Sequence, residues 1–183
     1  QSNAADGTKH TLNFSSLEKA WLKNHPEIRL AVDIDWAPFE FVDDDKRYKG
    51  MAADYIKLVE ERLGVRFKID KERPWSEMVQ AVKDRDLDAF SLVVKTTQRL
   101  QYVNFTKPYI SFPMVIVTRD TEPFVDGIEA LQNHTVGVVK SYATHELLSK
   151  NHPKIKLSTA ANVRDGLKAV SNGQIYAFVD NLA

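Results

Sequence analysis

Short apolar runs and helical stripes alternate along the first half of the chain. Apolar runs predict strands at residues 28–33, 65–69 and 87–94. Apolar side chains at helical spacing predict helices at residues 52–63 and 76–83, the first ended by Gly64 and the second capped by Ser76. The resulting order, β-α-β-α-β, is typical of a parallel sheet with helices on its faces.

The start of the chain and its second half show the same alternation of predicted strands and helices. Ser15 and Glu18 have the spacing of a capping box and predict a short helix at residues 16–23. The second half predicts strands at residues 112–117, 135–139, 155–158 and 175–179, and helices at residues 128–132, 144–150 and 163–171. The proline-containing segment after Arg99 is interpreted as the connection between two lobes of an α/β protein.

The composition argues against several kinds of partner, metal site and membrane segment. The 25 Lys and Arg residues balance 25 Asp and Glu residues, so no excess charge attracts nucleic acid or an anionic membrane. Without cysteine the chain has neither a disulfide framework nor a thiolate zinc site. No apolar run approaches the roughly 20 residues that span a bilayer. Residues 1–4, QSNA, resemble an expression-vector remnant, and we expect that a native signal or membrane anchor has been removed.

Recognisable catalytic motifs are absent from the sequence. It contains no GxSxG, GxxxxGK, GxGxxG or HExxH pattern, and its histidines are scattered at positions 10, 25, 134, 145 and 152. His145 and Glu146 are adjacent, but on a helix their side chains diverge by about 100° and would not share a metal ion. We expect no metal and no cofactor, and an enzyme stays only as an alternative.

Polar and aromatic side chains are concentrated where the predicted strands end. In open α/β sheets, ligands bind beyond the carboxyl ends of the strands. Arg99 lies in such a position and offers a planar set of donors that matches a carboxylate. Singly, each of these residues has an ordinary explanation as a core aromatic, a surface ion pair or a helix cap. Together they predict stacking walls, an anion clamp and a cation partner, formed by Asp33, Trp36, Phe39, Trp75, Thr96, Thr97, Arg99, Lys140, Ser141, Tyr142, Asp180 and Asn181.

Several of these segments match a known family. The pattern IRLAVD at 28–33, WAPFEF at 36–41, YKG at 48–50, LDAF at 87–90 and FTKPY at 105–109, with Asp54 and Arg99, resembles the amino-acid-binding group of the bacterial extracellular solute-binding proteins, family 3. The segments LEKAWL at 17–22, VGVVK at 136–140 and FVDNLA at 178–183 are similar to the Venus-flytrap sensor domains of membrane-bound bacterial histidine kinases. The resemblance covers the chain from about residue 17 to its last residue.

The resemblance implies a two-lobed periplasmic-binding-protein type II fold that closes on a small ligand. Its lobes are parallel sheets with helices on both faces, at residues 5–110 and 111–183, with a hinge near 108–113. The chain ends before the segment that returns to the first lobe in relatives, so we expect a C-terminal truncation. Carried over from the family, Arg99 grips a ligand carboxylate beside Thr96 or Thr97. Further ligand contacts fall on Asp33, Trp36, Trp75, Ser141, Tyr142 and Thr144, and the contact to an amino group falls on Asn181 or Asp180.

The expected function is that of an extracytoplasmic sensor domain in a two-component histidine kinase. The ligand is an amino acid or, because Val94, Ser141, Tyr142 and Asn181 depart from the usual family residues, a small carboxylate without an amino group. The full-length protein is expected to be membrane-anchored with this domain in the periplasm. Whether it forms a homodimer is left open. The main alternative is a free solute-binding protein of an amino-acid transporter. A second alternative is an enzyme lobe, related to cyclohexadienyl dehydratase or attached to a lytic transglycosylase, with Glu40 or Asp33 as the acid.

Overall fold

A computed structural model describes residues 12–182, which form five helices and ten strands together with two short 3₁₀ turns. The helices are α1 (Ser16–Asn24), α2 (Met51–Leu63), α3 (Trp75–Lys83), α4 (Ala143–Asn151) and α5 (Val163–Ser171). The strands are β1 (Glu27–Ala31), β2 (Asp35–Trp36), β3 (Glu40–Val42), β4 (Tyr48–Lys49), β5 (Arg66–Ile69), β6 (Ala89–Phe90), β7 (Met114–Thr118), β8 (Thr135–Val139), β9 (Lys156–Ala160) and β10 (Ala177–Asn181). Within residues 12–182, none of the helices combines the length and apolar character needed to cross a bilayer.

The first lobe is built on a parallel sheet with the order β5-β1-β6. The apolar face of α3, including Met78 and Val82, packs in the same buried cluster as Ala31 of β1. The strand predicted at 87–94 is much shorter than expected, since only Ala89–Phe90 pairs with β1. Because β1 ends at Ala31, the chain beyond Phe90 has almost no strand to pair with. It leaves the sheet toward the cleft between the two lobes.

The second lobe is built on a four-stranded sheet with the order β7-β10-β8-β9. Strand β10 runs parallel to β8 and antiparallel to β7, so the predicted all-parallel sheet is wrong at this edge. Leu131, Val136, Val138 and Leu148 are buried between this sheet and its helices. The mixed sheet leaves the ends of β8 and β10 beside each other, facing the first lobe.

Between β1 and α2, where the hydrophobic pattern predicts no strand, the chain forms a small antiparallel sheet, β2-β3-β4, beside the first-lobe sheet. Glu40 of β3 is fully buried, and its carboxylate accepts hydrogen bonds from the Asp33 backbone N–H (2.9 Å), the Tyr48 hydroxyl (2.8 Å) and the Ser91 hydroxyl. Burial raises the pKa of Glu40 to about 8. This carboxyl group therefore holds the exit of β1 in place by hydrogen bonds inside the first lobe.

The predicted helix ends are mostly confirmed. Ser15 and Glu18 make the capping box, with the Ser15 N–H 2.7 Å from the Glu18 carboxylate. Gly64 ends α2 in the left-handed conformation. The Ser76 cap is wrong, because α3 already begins at Trp75 and is entered from Pro74, whose side chain has no polar atom. Proline fixes the extended entry instead of a capping hydrogen bond.

Gly50 is the tightest point of the connection from β4 to α2, and we expect Gly50→Ala to destabilise the first lobe. Its φ is +106°, and an added Cβ would lie 2.9 Å from the Glu40 Cα and closer still to the Phe39 carbonyl. The expected loss is about 2–4 kcal/mol of unfolding free energy, from strain and overpacking together. Denaturant unfolding would measure it.

The matched control for Gly50 is Gly64→Ala. Gly64 also has a positive φ, +69°, but no atom lies within 4 Å of an added Cβ. Only the backbone cost of about 1–2 kcal/mol is expected there. Equal losses at the two positions would contradict the contact between Gly50 and the β3 backbone.

Candidate functional site

The two lobes meet where β1 and β6 end in the first lobe and where β8 and β10 end in the second. Between them lies a cavity of about 20 Å³. This volume suffices for about one water molecule. Six of the predicted contact residues line it: Asp33, Trp36, Trp75, Arg99, Tyr142 and Asn181. The strand-end argument therefore places these side chains together correctly, but they pack against one another across the cleft.

Arg99 is buried, with 2% of its surface exposed, and its guanidinium contacts both lobes. Within the first lobe, Nη1 donates to the Val94 carbonyl at 2.9 Å. Across the cleft, Nη2 donates to the Ser141 carbonyl at 2.9 Å and Nε donates to Glu146 at 3.0 Å. The predicted anion clamp thus holds a carboxylate that belongs to the protein itself.

Sequence reasoning missed Glu146 as a member of this site. Its second carboxylate oxygen accepts a hydrogen bond from the Thr96 hydroxyl at 2.6 Å, and Thr96 also accepts from the Arg99 backbone N–H at 3.1 Å. Glu146 lies in the first turn of α4, four positions after Tyr142. Tyr142 is the N-cap residue of α4, so the available signal was that Glu146 lies one turn into the helix that follows a predicted contact residue.

Tyr142 and Ser141 supply the other contacts between the lobes. The Tyr142 hydroxyl donates to the Asp33 carboxylate, and the Trp75 indole N–H donates to the Ser141 carbonyl at 3.0 Å. The Tyr142 ring lies 6.0 Å from the rings of both Trp36 and Trp75, edge-on to the latter. Burial raises the pKa of Asp33 to about 6 and raises that of Tyr142 as well, so this hydroxyl stays a donor.

Ser141 adopts a backbone conformation that favours glycine. Its φ is +65°, a left-handed value that costs about 1–2 kcal/mol for a residue with a Cβ. The same carbonyl accepts hydrogen bonds from Trp75 and Arg99, at 3.0 and 2.9 Å. These two donors from the first lobe help to hold Ser141 in the turn, so the conformation of the loop depends on the contact between the lobes.

Residues 28–179 match the family model of the bacterial extracellular solute-binding proteins, family 3. The chain belongs to this family. Its geometry agrees with that assignment, because two α/β lobes face each other across a cleft at the ends of their strands. The predicted family and the predicted Venus-flytrap fold are both confirmed.

Proteins similar to this family 3 chain are sensors and solute-binding proteins. The virulence sensor protein BvgS of Bordetella pertussis is 30% identical over 91% of the chain. The crystal structure of its periplasmic VFT2 domain superposes with a TM-score of 0.78 at 28% identity, covering 92% of this chain and 72% of that one. A point mutant of arginine-bound ArgBP from T. maritima gives a TM-score of 0.76 at 25% identity, covering 90% of this chain and 77% of that one. The chain spans only 13% of the length of BvgS. It is therefore homologous to the periplasmic domain of a sensor protein.

The remaining predicted residues lie around the cleft in different environments. Phe39 packs behind Trp36, with ring centroids 5.1 Å apart, in an apolar cluster. Thr97 and Lys140 are exposed to solvent. Thr144 and Asp180 are buried, and burial raises the pKa of Asp180 to about 6. Ligand contact by these residues stays a prediction.

A much larger concavity, of about 1000 Å³, runs along β6 and residues 100–114. It contains only two of the predicted site residues, Trp36 and Asn181. Most of its lining residues belong to the first lobe, whereas the cleft combines a buried arginine with carboxylates from both lobes. We therefore assign the candidate site to the cleft. In the described part of the chain, no three metal-ligating side chains are grouped together.

Proposed function

We propose that this chain is the extracytoplasmic sensor domain of a bacterial two-component histidine kinase. It lies in the periplasm, belongs to a membrane-anchored protein, and reports the separation of its two lobes to the kinase. The similarity to the periplasmic domain of BvgS over nearly the whole chain supports this proposal. The ligand class is a small carboxylate or an amino acid, which fits the buried Arg99 and the similarity to arginine-bound ArgBP.

The observation that carries the proposal is the set of direct donor–acceptor contacts across the cleft. Asp33, Trp75 and Arg99 of the first lobe all contact residues 141–146 of the second lobe. Separating the lobes breaks these contacts together, so the joined and separated arrangements are discrete states. A sensor needs two such states whose populations a ligand or partner shifts.

The domain boundary that we propose follows from the same arrangement. Residues up to 110 carry the β5-β1-β6 sheet, and residues from 111 carry the β7-β10-β8-β9 sheet. The segment near 108–113 connects them and acts as the hinge. Movement about this segment separates Asp33 from Tyr142 without unfolding either sheet.

We propose that the domain binds and does not catalyse. Of the two candidate acids, Glu40 is fully buried and takes hydrogen bonds only from its own lobe. Asp33 does reach the cleft, where Tyr142 contacts it. A free solute-binding protein remains the second candidate, because the histidine-binding periplasmic protein of Escherichia coli K12 is 27% identical over 77% of the chain.

The test of the sensor proposal is Tyr142→Phe in the full-length gene product, reconstituted in membrane vesicles. The change removes the donor to Asp33 across the cleft and costs the joined state about 1–3 kcal/mol. We expect autophosphorylation to change by about fivefold or more, because 1 kcal/mol alters a two-state ratio about fivefold.

The matched control is Tyr48→Phe, which removes a hydroxyl that donates to the Glu40 carboxylate at 2.8 Å inside the first lobe. Its autophosphorylation is expected to equal that of the native protein. A gene product without a kinase domain would overturn the sensor proposal in favour of the free binding protein. Equal autophosphorylation in both variants would show that lobe separation is not the signal.

A further inference from the structure

Glu146 holds the position in which Arg99 would bind a carboxylate from solution. One of its oxygens takes the Arg99 Nε–H at 3.0 Å and the other takes the Thr96 hydroxyl at 2.6 Å. Both donors come from the first lobe, whereas Glu146 belongs to α4 of the second lobe. The side chain of Arg99 is 2% exposed and that of Glu146 is 13% exposed, so the pair is largely removed from water.

Two further N–H groups of the Arg99 guanidinium are occupied as well. The Val94 and Ser141 carbonyls each accept one of its N–H groups at 2.9 Å. The cavity that Arg99 lines measures about 20 Å³, room for about one water molecule, so it does not hold a free carboxylate in addition. A free carboxylate can therefore reach Arg99 only by taking the place of the Glu146 side chain.

We propose that Glu146 is an intramolecular carboxylate that occupies the anion position of the cleft and joins the lobes through it. The proposal deepens the sensor function above, since it names the group that holds the cleft closed. A tethered group acts at an effective concentration on the order of millimolar or more, and dilute free carboxylates do not displace it. Small carboxylates that do compete with Glu146 weaken the contact between the lobes.

The test is chemical rescue of Glu146→Ala by acetate. Truncation to alanine removes a CH₂–COO⁻ group, and acetate supplies the same atoms. Alanine is the best helix former, so α4 is expected to keep its structure. The melting temperature of the purified protein is measured in sodium acetate and in sodium chloride of equal ionic strength, with tryptophan fluorescence as a second readout. Two of the three tryptophans, Trp36 and Trp75, line the cleft, and the Trp75 indole donates to the Ser141 carbonyl.

Acetate at about ten times its half-saturating concentration is expected to raise the melting temperature of the Glu146→Ala protein by about 3–6 °C over chloride. The native protein is expected to show no difference between the two salts. Glu146→Gln keeps the size of the side chain, leaves no room for acetate, and is also expected to show none. If the alanine variant is unfolded in chloride, recovery of its circular dichroism in acetate is the measured rescue.

The matched control is Glu122→Ala, which removes the carboxylate partner of Arg119. Arg119 also donates to two carbonyls, those of Val170 and Ile175, but all of these residues belong to the second lobe. Acetate is expected to leave this variant unchanged relative to chloride. An acetate shift in the native or Glu122→Ala protein as large as that in Glu146→Ala, or no shift in Glu146→Ala, would overturn the proposal. This measurement needs no kinase. A negative acetate result would therefore leave the sensor proposal standing, and a negative autophosphorylation result would leave the acetate result interpretable.

Discussion

Arg99→Met is expected to lower the free energy of unfolding by about 3–5 kcal/mol. Methionine has a side chain of similar length, but it lacks the guanidinium. That group donates hydrogen bonds to one acceptor in the first lobe and to two in the second. It leaves Glu146 as a largely buried carboxylate without its cation, which is the costly way to break a buried ion pair. Urea unfolding of the purified protein would measure the loss.

The comparison variant is Arg29→Met, which breaks the ion pair between Arg29 and Asp88. Those side chains are 46% and 41% exposed, and exposed pairs contribute about 1 kcal/mol or less. A loss at position 99 no larger than that at position 29 would show that Arg99 contributes little to joining the lobes. It would also remove the physical basis for Glu146 as its partner.

Lowering the pH from about 8 to about 5 is expected to stabilise the protein by a few kcal/mol. Burial raises the pKa of Glu40 from 4.5 to about 8, so between these values the folded state keeps a proton that the unfolded state has lost. The stabilisation is complete below pH 4.5 and is lost as the pH rises through 8. Burial also raises the pKa values of Asp33 and Asp180, from 3.8 to about 6. These two groups likewise make the protein more stable at low pH, over the range between those two values.

Glu40→Gln tests the assignment of this pH dependence to Glu40. The amide cannot ionise, and its neighbours Tyr48 and Ser91 carry hydroxyls that accept as well as donate. Melting temperatures of the variant are expected to vary less between about pH 5 and about pH 8 than those of the native protein. Glu77→Gln, on the exposed side of α3, should leave the native pH dependence in place. A Glu40→Gln protein with the full native dependence would assign the effect to Asp33 and Asp180.

The buried carboxyl groups also explain why the closed arrangement depends on both lobes. Asp33 is 3% exposed and receives the Tyr142 hydroxyl from the other lobe. When the lobes separate, Asp33 regains water and loses this donor at the same moment. Protonation and lobe separation are therefore coupled at Asp33, while Glu40 stays inside the first lobe in both arrangements.

The local elements were largely predictable, because their signals are short in sequence. The capping box at Ser15 and the left-handed Gly64 follow from a few neighbouring residues, and both are confirmed. Helix α5 was predicted at residues 163–171, the range that the structure has. The 87–94 strand was overestimated because apolar character reports burial and does not show how many partner residues β1 provides.

The direction of β7 was beyond the reach of the hydrophobic pattern. A buried strand has the same apolar residues whether its neighbour runs parallel or antiparallel, and the pairing of β7 with β10 depends on the path of the chain between the lobes. The β2-β3-β4 sheet was missed for a related reason. Strands of two or three residues are too short for a period to be recognised.

By itself the sequence determined the family, the two-lobed α/β class and most of the residues that meet in the cleft, because strand ends and motifs are local in sequence. Only the tertiary structure decided which polar groups pair there. Tyr142 and Asp33 are 109 positions apart, and Arg99 and Glu146 are 47 positions apart. Such pairings depend on the geometry between two separately folded sheets. No periodicity along the chain encodes that geometry, so the arginine expected to grip a ligand instead holds Glu146.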